Sequence, residues 1–343
     1  MEHDSEHNSV IMANIEKGDL VLVTGCSGYI ASQTANQFLE AGYRVRGTVR
    51  SKAKADWLYE VFDAKYGIGK FEHFVVEDMM SEGAFDEAVK GVAGICHMAN
   101  VMTFSDKYDD VVPVVVKGAL NALTAATKEA GIKAFVYTSS STAALMPQPD
   151  KVINVTEETW NDVVVSDAKT KPNSWNVYGA SKTEAERAIW KAVKETNPPF
   201  QVAAILPNAN MGPILRPGGE QQSSTAGWML KLWDGDTSVF ETVPPQYFVN
   251  VRDTARLHVI ALIDPECQGK RIFAFSAPFT WNDVLAVFKK QNPGRKFPED
   301  REGFGEDKSV IPTEPAEKLL RKHYGKGFSG LGEVVETNTA TVR

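Results

Sequence analysis

The stretch LVLVTGCSGYIASQTANQFLEAG, residues 20–42, places four apolar residues ahead of two glycines and a helix-like segment. Residues 20–23 are continuously apolar, which predicts a strand buried on both faces. Residues 31–40 have the spacing of an amphipathic helix. Gly25 permits a tight turn, and Gly28 lets a phosphate approach without meeting a Cβ atom. The stretch therefore predicts a phosphate site at a helix N-terminus.

The glycine spacing is G-x-x-G-x-x-A, with Ala31 where a small residue lets the helix pack closely on the strand. The same spacing also fits an ordinary strand–turn–helix corner that binds nothing. Other features of the sequence are needed to distinguish a phosphate site from an ordinary corner.

Strand-like and helix-like segments alternate over the first two hundred residues. The further predicted strands are 43–50, 71–79, 93–99, 133–140 and 200–208. The further predicted helices are 52–65, 82–91, 110–131 and 176–196. This alternation predicts an α/β fold with a doubly wound parallel sheet, whose ligands bind beyond the carboxyl ends of the strands.

Composition excludes several classes of function. The 343-residue chain has 43% hydrophobic residues, a net charge of −7 and no apolar run of membrane-spanning length. We therefore expect neither a nucleic-acid partner nor a membrane segment. Three widely separated cysteines, Cys26, Cys96 and Cys267, indicate reduced thiols in the cytoplasm and no metal site. The polar, acidic residues 1–17 predict a disordered lead-in.

The second predicted strand ends at Arg50, which Lys52 and Lys54 follow. In a dinucleotide fold that binds NAD, an acidic residue about twenty positions after the glycines holds the adenosine ribose. A guanidinium at this place suits a ribose 2′-phosphate, so Arg50 predicts NADPH as the cofactor. The alternative is a solvated basic start of a helix.

Ser140 ends the fifth predicted strand, and Tyr178 and Lys182 lie four residues apart on the next long helix. Residues four apart share one helix face, so an ammonium group lies near a phenol. We expect Lys182 to lower the pKa of Tyr178, which then protonates a carbonyl oxygen as a general acid. Ser140 can donate to the same oxygen. A Tyr–Lys pair at this spacing also occurs by chance on exposed helices, so the prediction depends on the order of all these features.

From about Asp19 onward the chain resembles the extended short-chain dehydrogenase/reductase superfamily. The segments that carry the resemblance are VTGCSGYIA (23–31), VRGTVRS (45–51), GAFDEAVKGVAGICHMA (83–99), FVYTSSSTAAL (135–145) and YGASKTEAERAIWK (178–191). They resemble its dihydroflavonol reductase-like branch, and most closely the fungal and yeast NADPH-dependent aldehyde/carbonyl reductases. The segment CHMANV (96–101) departs from the flavonoid enzymes, so a flavonoid substrate is not expected.

The resemblance implies roles for individual residues. Tyr178 would protonate the carbonyl oxygen, Lys182 would bind the nicotinamide ribose, and Ser140 would orient the carbonyl group. The implied cofactor contacts are Gly25, Ser27, Gly28, Tyr29, Ile30, Arg50, Lys54, Asp78, Met79, Ala99, Tyr178, Lys182, Pro207, Asn208 and Gly212. A substrate pocket is predicted around Met102, Phe104, Trp228 and Tyr247. His97, His258 and Cys26 are interpreted as structural residues.

The main predicted domain boundary lies where the alternation of strands and helices stops. Residues 18–207 are predicted to form an NADP-binding Rossmann domain, to which 245–264 return as a strand and a helix. Residues 208–244 and 265–343 are predicted to form a smaller substrate-binding lobe.

The predicted function is an NADPH-dependent reductase that converts the carbonyl group of a small ketone or aldehyde to an alcohol. One alternative is a nucleotide-sugar epimerase or dehydratase on the same fold, which an acidic residue in place of Arg50 would have favoured. A second alternative is a non-catalytic NADP-sensing protein, which loss of Tyr178 or Lys182 would have indicated.

Overall fold

Seven parallel strands form the main sheet of the protein. The computed structural model describes residues 15–101, 103, 105–216, 218 and 224–342. The strands are β1 (Leu20–Val23), β2 (Arg44–Val49), β3 (Phe71–Val75), β4 (Gly94–His97), β5 (Ala134–Thr138), β6 (Gln201–Pro207) and β9 (Arg271–Ala274). Their order in the sheet is β3-β2-β1-β4-β5-β6-β9. The predicted α/β class with a doubly wound parallel sheet is confirmed.

Helices cover both faces of this sheet, because its strands present apolar side chains in both directions. In β5, Ala134 and Val136 face one core, whereas Phe135 and Tyr137 face the other. The helices of the first core are α1 (Tyr29–Glu40), α2 (Asp56–Tyr66), α8 (Val251–Ile263) and α10 (Glu314–Tyr324). The helices of the second core are α3 (Tyr108–Lys128), α4 (Asp162–Thr170) and α5 (Ser174–Thr196).

A second, three-stranded sheet begins where the main sheet ends. Its strands are β7 (Ala209–Met211), β8 (Gln246–Asn250) and β10 (Ala277–Phe279), in the order β10-β8-β7. The remaining helices are α6 (Thr225–Trp233), α7 (Val239–Thr242), α9 (Trp281–Gln291) and α11 (Leu331–Thr339). This sheet packs with them in a separate apolar cluster that includes Trp233, Phe279 and Trp281.

The return of residues 245–264 to the main sheet holds for the helix and not for the strand. Helix α8 packs on the main sheet, but β8 pairs in parallel with β7. The reason is that β7 follows β6 after the single residue Asn208 and provides a free edge outside the main sheet. The seventh main strand is β9, which comes from the segment predicted to belong to the substrate lobe.

Two local predictions also differ from the structure. Residues 82–91, predicted as a helix, form consecutive turns, because most of their backbone hydrogen bonds span three residues, as from Asp86 N–H to the Gly83 carbonyl and from Lys90 N–H to the Glu87 carbonyl. At the N-terminus, Ile15 is buried in the core and contacts the backbone at Gly94, so residues 15–17 belong to the fold. Residues 1–14 of the predicted lead-in lie outside the described residues.

Candidate active site

The glycine turn forms the first part of the site, at the carboxyl end of β1. Gly25 has φ +65°, and a Cβ atom there would lie 2.9 Å from Cα of Ala99. Only glycine fits both constraints. Gly28 precedes α1 and has no side chain to cap its first turn, whose N–H groups therefore remain available to an anion. Ser27 and Ile30 are half-buried in the same turn.

Two threonines fix the position of this turn between the neighbouring strands. Thr48 Oγ1 accepts a hydrogen bond from the Gly25 N–H at 3.0 Å, and the Thr48 carbonyl accepts one from Cys26 at 2.8 Å. Thr24 Oγ1 accepts one from the Ala99 N–H at 2.9 Å. The turn is therefore attached to both β2 and β4, which rigidifies the place where a pyrophosphate would bind.

The side chain of Cys26 fills space in the core beside the glycine turn. Its side chain is fully buried, and a Cβ atom on Gly47 would lie 2.8 Å from its sulfur. Burial raises the pKa of the thiol, so the thiolate needed for reactivity does not form. The interpretation of Cys26 as a structural residue agrees with this geometry.

Ser140, Tyr178 and Lys182 come together at the carboxyl end of β5. The Ser140 hydroxyl is hydrogen-bonded to Tyr178 and also accepts from the Thr142 hydroxyl at 3.0 Å. Lys182 is buried, and its Nζ donates to the carbonyl oxygen of Thr138 at 3.0 Å. The structure thus places a serine hydroxyl, a phenol and an ammonium group at the sheet edge where ligands bind in this fold.

The expected lowering of the Tyr178 pKa by Lys182 stays a prediction, because the shift of Tyr178 in this structure arises from burial and from Ser140. Burial raises the pKa of Tyr178, and the hydrogen bond with Ser140 opposes that rise. Burial lowers the pKa of Lys182 to about 8, while the Glu186 carboxylate raises it. The penalty for burying a phenolate outweighs the effect of the hydrogen bond with Ser140. Tyr178 therefore keeps its proton near neutral pH.

Trp175 was missed by the sequence reasoning. Its ring lies edge-on to Tyr178 with ring centroids 6.2 Å apart, and the ring centroids of Trp228 and Trp175 are also 6.2 Å apart. Trp175 precedes Tyr178 by three residues on the same helix, a spacing that could have indicated the contact. Through Trp175, the predicted pocket residue Trp228 is joined to the site.

Tyr247 is the other predicted pocket residue that the structure describes, and its contacts are with Ser309 and Phe275. Tyr247 donates its hydroxyl proton to the carbonyl oxygen of Ser309 at 3.0 Å and packs against Phe275. Met102 and Phe104 lie outside the described residues.

Arg50 lies one residue beyond the end of β2, the strand that pairs with β1, and its side chain is exposed. Lys54 lies in the short 3₁₀ turn that follows and is half-buried. Both cationic groups are therefore on the side of the glycine turn where the predicted adenosine ribose would lie.

Asp78 and Met79 follow β3 at the same edge. The Asp78 carboxylate accepts hydrogen bonds from the Met80 N–H at 2.9 Å and the Ser81 hydroxyl at 3.0 Å, so it shapes its own turn. The Met79 side chain fits against Gly118 of α3, where a Cβ atom would lie 2.7 Å from its sulfur.

The predicted nicotinamide loop after β6 contacts the start of α1. Pro207 ends β6, and Asn208 is buried directly after it. The Tyr29 hydroxyl donates to the carbonyl oxygen of Gly212 at 3.0 Å, and the Gly212 N–H donates to Asn338 Oδ1 at 3.0 Å. The side chain of Tyr29 thus positions this loop.

Two buried histidines lie next to residues of the site, His258 beside Thr138 and His97 beside Thr24. His258 lies between the Thr138 hydroxyl and the Thr254 carbonyl oxygen, each 2.8 Å from a ring nitrogen. His97 Nδ1 lies 3.1 Å from the Thr24 hydroxyl. Burial lowers the pKa of His258 to about 4 and that of His97 to about 3. Both rings are therefore neutral near pH 7, as expected of structural histidines.

Because both histidines are buried in their neutral form, we expect the folded protein to lose stability at acidic pH. A neutral buried histidine opposes protonation, whereas the unfolded chain binds the proton at a pKa near 6.5. Stability is thus fully present above about pH 6.5 and falls as pH decreases, by about 3 kcal/mol for His258 by pH 4. Denaturant unfolding from pH 7.5 to 4 measures the effect, and His258→Gln should show a shallower pH dependence. Equal slopes would contradict the assignment.

Across the described ranges, no three metal-ligating side chains are grouped so that they could hold an ion. None of the helices within those ranges is long and apolar enough to cross a membrane.

Comparison with known proteins gives consistent matches. Residues 21–273 match the model of the NAD dependent epimerase/dehydratase family. Aldehyde reductase 2 of Sporidiobolus salmonicolor is 43% identical over 332 residues, which cover 94% of this chain and 96% of that protein. Ketoreductase adrE of Penicillium roqueforti is 38% identical, with 95% and 97% covered. The structure of yeast methylglyoxal/isovaleraldehyde reductase Gre2 complexed with NADPH has a TM-score of 0.80 at 25% identity, with 94% and 98% covered.

Proposed function

The chain belongs to the NAD dependent epimerase/dehydratase family, and from this we propose a reductase in which Ser140, Tyr178 and Lys182 carry the chemistry. The protein is an NADPH-dependent carbonyl reductase that converts ketones or aldehydes to alcohols. Relatives named as an aldehyde reductase and a ketoreductase support this activity, as does a structural neighbour crystallised with NADPH.

The roles of the three residues follow from their contacts. When bound, NADPH supplies the hydride that reduces the carbonyl carbon. Tyr178 donates its phenolic proton to the carbonyl oxygen, because burial keeps that proton in place at neutral pH. Ser140, hydrogen-bonded to Tyr178, orients the same oxygen. Lys182, fixed by the Thr138 carbonyl, keeps a positive charge beside the reacting groups.

The residues around the glycine turn fit a dinucleotide. The turn leaves no room for a Cβ atom at Gly25 and exposes the first N–H groups of α1, as a pyrophosphate requires. We assign the cofactor to the predicted set around it, which includes Arg50 and Lys54 toward the 2′-phosphate. Asp78 and Met79 belong to the adenine side, and the loop from Pro207 to Gly212 belongs to the nicotinamide side.

The substrate would lie between Tyr178 and the lobe formed by the second sheet and its helices. Trp175 and Trp228 support this placement, because they present aromatic surface next to the phenol. Trp175 is 37% exposed, so part of its ring surface is open to a ligand beside Tyr178.

The protein would act in the cytoplasm. The three cysteines support this placement, since Cys26, Cys96 and Cys267 are all buried free thiols.

The proposal depends mainly on the hydrogen bond between Ser140 and Tyr178 and on the buried Lys182 one helical turn after Tyr178. Consumption of NADPH with a panel of ketones and aldehydes tests it, with UDP-sugars assayed in parallel without added cofactor. We expect carbonyl-dependent oxidation of NADPH and no interconversion of the sugars. Turnover of a UDP-sugar alone would instead identify an epimerase.

A further inference from the structure

Glu186 is a fully buried carboxylate that the proposed chemistry does not use. It lies on α5 four residues after Lys182, which itself lies four residues after Tyr178. All three side chains therefore project from one face of the helix, toward the end of β5. A buried charge at this place needs a reason, because desolvation makes it costly.

Both oxygens of Glu186 are occupied by hydrogen bonds. Oε1 accepts from Arg271 Nε at 2.6 Å and from Trp190 Nε1 at 3.1 Å. Oε2 accepts from the Ser139 hydroxyl at 2.6 Å and from Arg271 Nη2 at 3.3 Å. The carboxylate thus joins α5 to β9 and to the residue next to Ser140.

Arg271 is itself fixed by several contacts. Its Nη1 donates to the carbonyl oxygens of Glu157 at 2.9 Å and Thr159 at 2.6 Å. Its guanidinium lies 3.9 Å from the ring centre of Trp160. Glu186 is therefore held by a rigid partner and can in turn hold Ser139 in one place.

The charges around Lys182 also point to Glu186. Among the described residues, the titratable groups that face Lys182 from neighbouring elements are uncharged at pH 7. They are His97 on β4, Tyr137 on β5 and, through Thr138, His258 on α8. The Glu186 carboxylate favours the charged form of Lys182, in opposition to burial. Arg271 balances the carboxylate from the side of β9.

We propose that Glu186 is a positioning residue for the reduction, which fixes Ser139 and thereby Ser140 while stabilising the ammonium group of Lys182. The proposal rests on the proposed roles of Ser140, Tyr178 and Lys182. Glu186 would contact neither substrate nor cofactor and would act through its neighbours.

Two variants separate the two effects of Glu186. Glu186→Gln removes the charge, whereas Ser139→Ala removes the hydrogen bond and leaves the ion pair with Arg271 in place. We expect kcat to fall roughly 10- to 100-fold in the first and about tenfold in the second, because small misplacements of reacting groups are costly. The dissociation constant for NADPH, measured by fluorescence titration, should change less than threefold in both.

The pH profile gives a readout that a purely structural role would not move. Without the Glu186 charge, Lys182 loses its proton at lower pH, so the alkaline loss of kcat/KM should move to lower pH in Glu186→Gln. In Ser139→Ala the charge remains, and the profile should not move. Folded Glu186→Gln with the wild-type kcat and profile would overturn the proposal.

Asp253→Asn is the matched control. Asp253 is also a buried carboxylate on a helix, paired with Arg256 at 3.0 Å and with the Ser329 N–H at 2.7 Å. The Asp253→Asn variant should have a lower melting temperature with unchanged kcat and pH profile, and a loss of kcat equal to that of Glu186→Gln would overturn the proposal.

If Glu186→Gln does not fold, Ser139→Ala decides, and wild-type kcat in that variant counts against the proposal. Tyr178→Phe run in parallel shows separately whether the proposed function itself fails.

Discussion

Tyr178→Phe is expected to lower carbonyl reduction about 10²–10⁴-fold, the range over which a general acid contributes to catalysis. The substitution removes one oxygen atom and little volume, so the edge-on contact with Trp175 should persist. The ring would still fill its place, but the proton that Tyr178 keeps at neutral pH would be missing. Steady-state turnover of NADPH with an aldehyde that the wild type reduces measures the loss.

Tyr66→Phe is a suitable control for this experiment. It removes a phenolic oxygen that bonds to Asn36 on the other side of the sheet, far from the carboxyl end of β5. We expect full turnover in this variant and unchanged NADPH affinity in both. Near-normal turnover of folded Tyr178→Phe would remove Tyr178 from the mechanism.

Arg50→Ala is expected to raise KM for NADPH roughly 10- to 100-fold and to leave the use of NADH almost unchanged. Hydrogen bonds to charged groups contribute about 1.5–3 kcal/mol, which corresponds to this range. Because Arg50 is exposed at the end of β2, added salt should weaken NADPH binding more than NADH binding. Lys54, which follows in the next turn, would share the contact and place the effect near the low end.

Arg44→Ala removes the same charge from the opposite end of β2, where the side chain donates to the Gly18 carbonyl. This control should leave KM for both cofactors unchanged. A wild-type preference for NADH, or equal damage to both cofactors in Arg50→Ala, would show that Arg50 does not select the 2′-phosphate.

The fold could be predicted well because its signals are local. In the main sheet, β1, β5 and β6 are short, largely apolar runs, and the helices that cover them repeat an apolar face within a few turns. Membership of the superfamily, predicted from the ordered segments, is confirmed. Residues 82–91 were predicted wrongly because a sequence pattern does not distinguish a helix from consecutive turns whose backbone hydrogen bonds span three residues.

The site was predictable only in part. Tyr178 and Lys182 are visible in the sequence as a pair four residues apart. The pKa of Tyr178, however, depends on its burial, which only the folded structure shows. Glu186 and Arg271 are 85 residues apart in the chain, and their pairing needs β9 to lie beside β6. The placement of β8 outside the main sheet likewise depends on a free edge that the sequence does not display.

The bond from Tyr29 to Gly212 has a consequence for protein engineering. Gly212 receives this bond from α1, donates to Asn338 of α11, and lies so close to Asn250 that a Cβ atom would be 2.9 Å from its side-chain oxygen. Its neighbours thus come from both ends of the chain and from its middle. A chimera that joins the N-terminal half of one relative to the C-terminal half of another would cross this junction. Such hybrids should fold only when the four positions derive from one parent or are exchanged together.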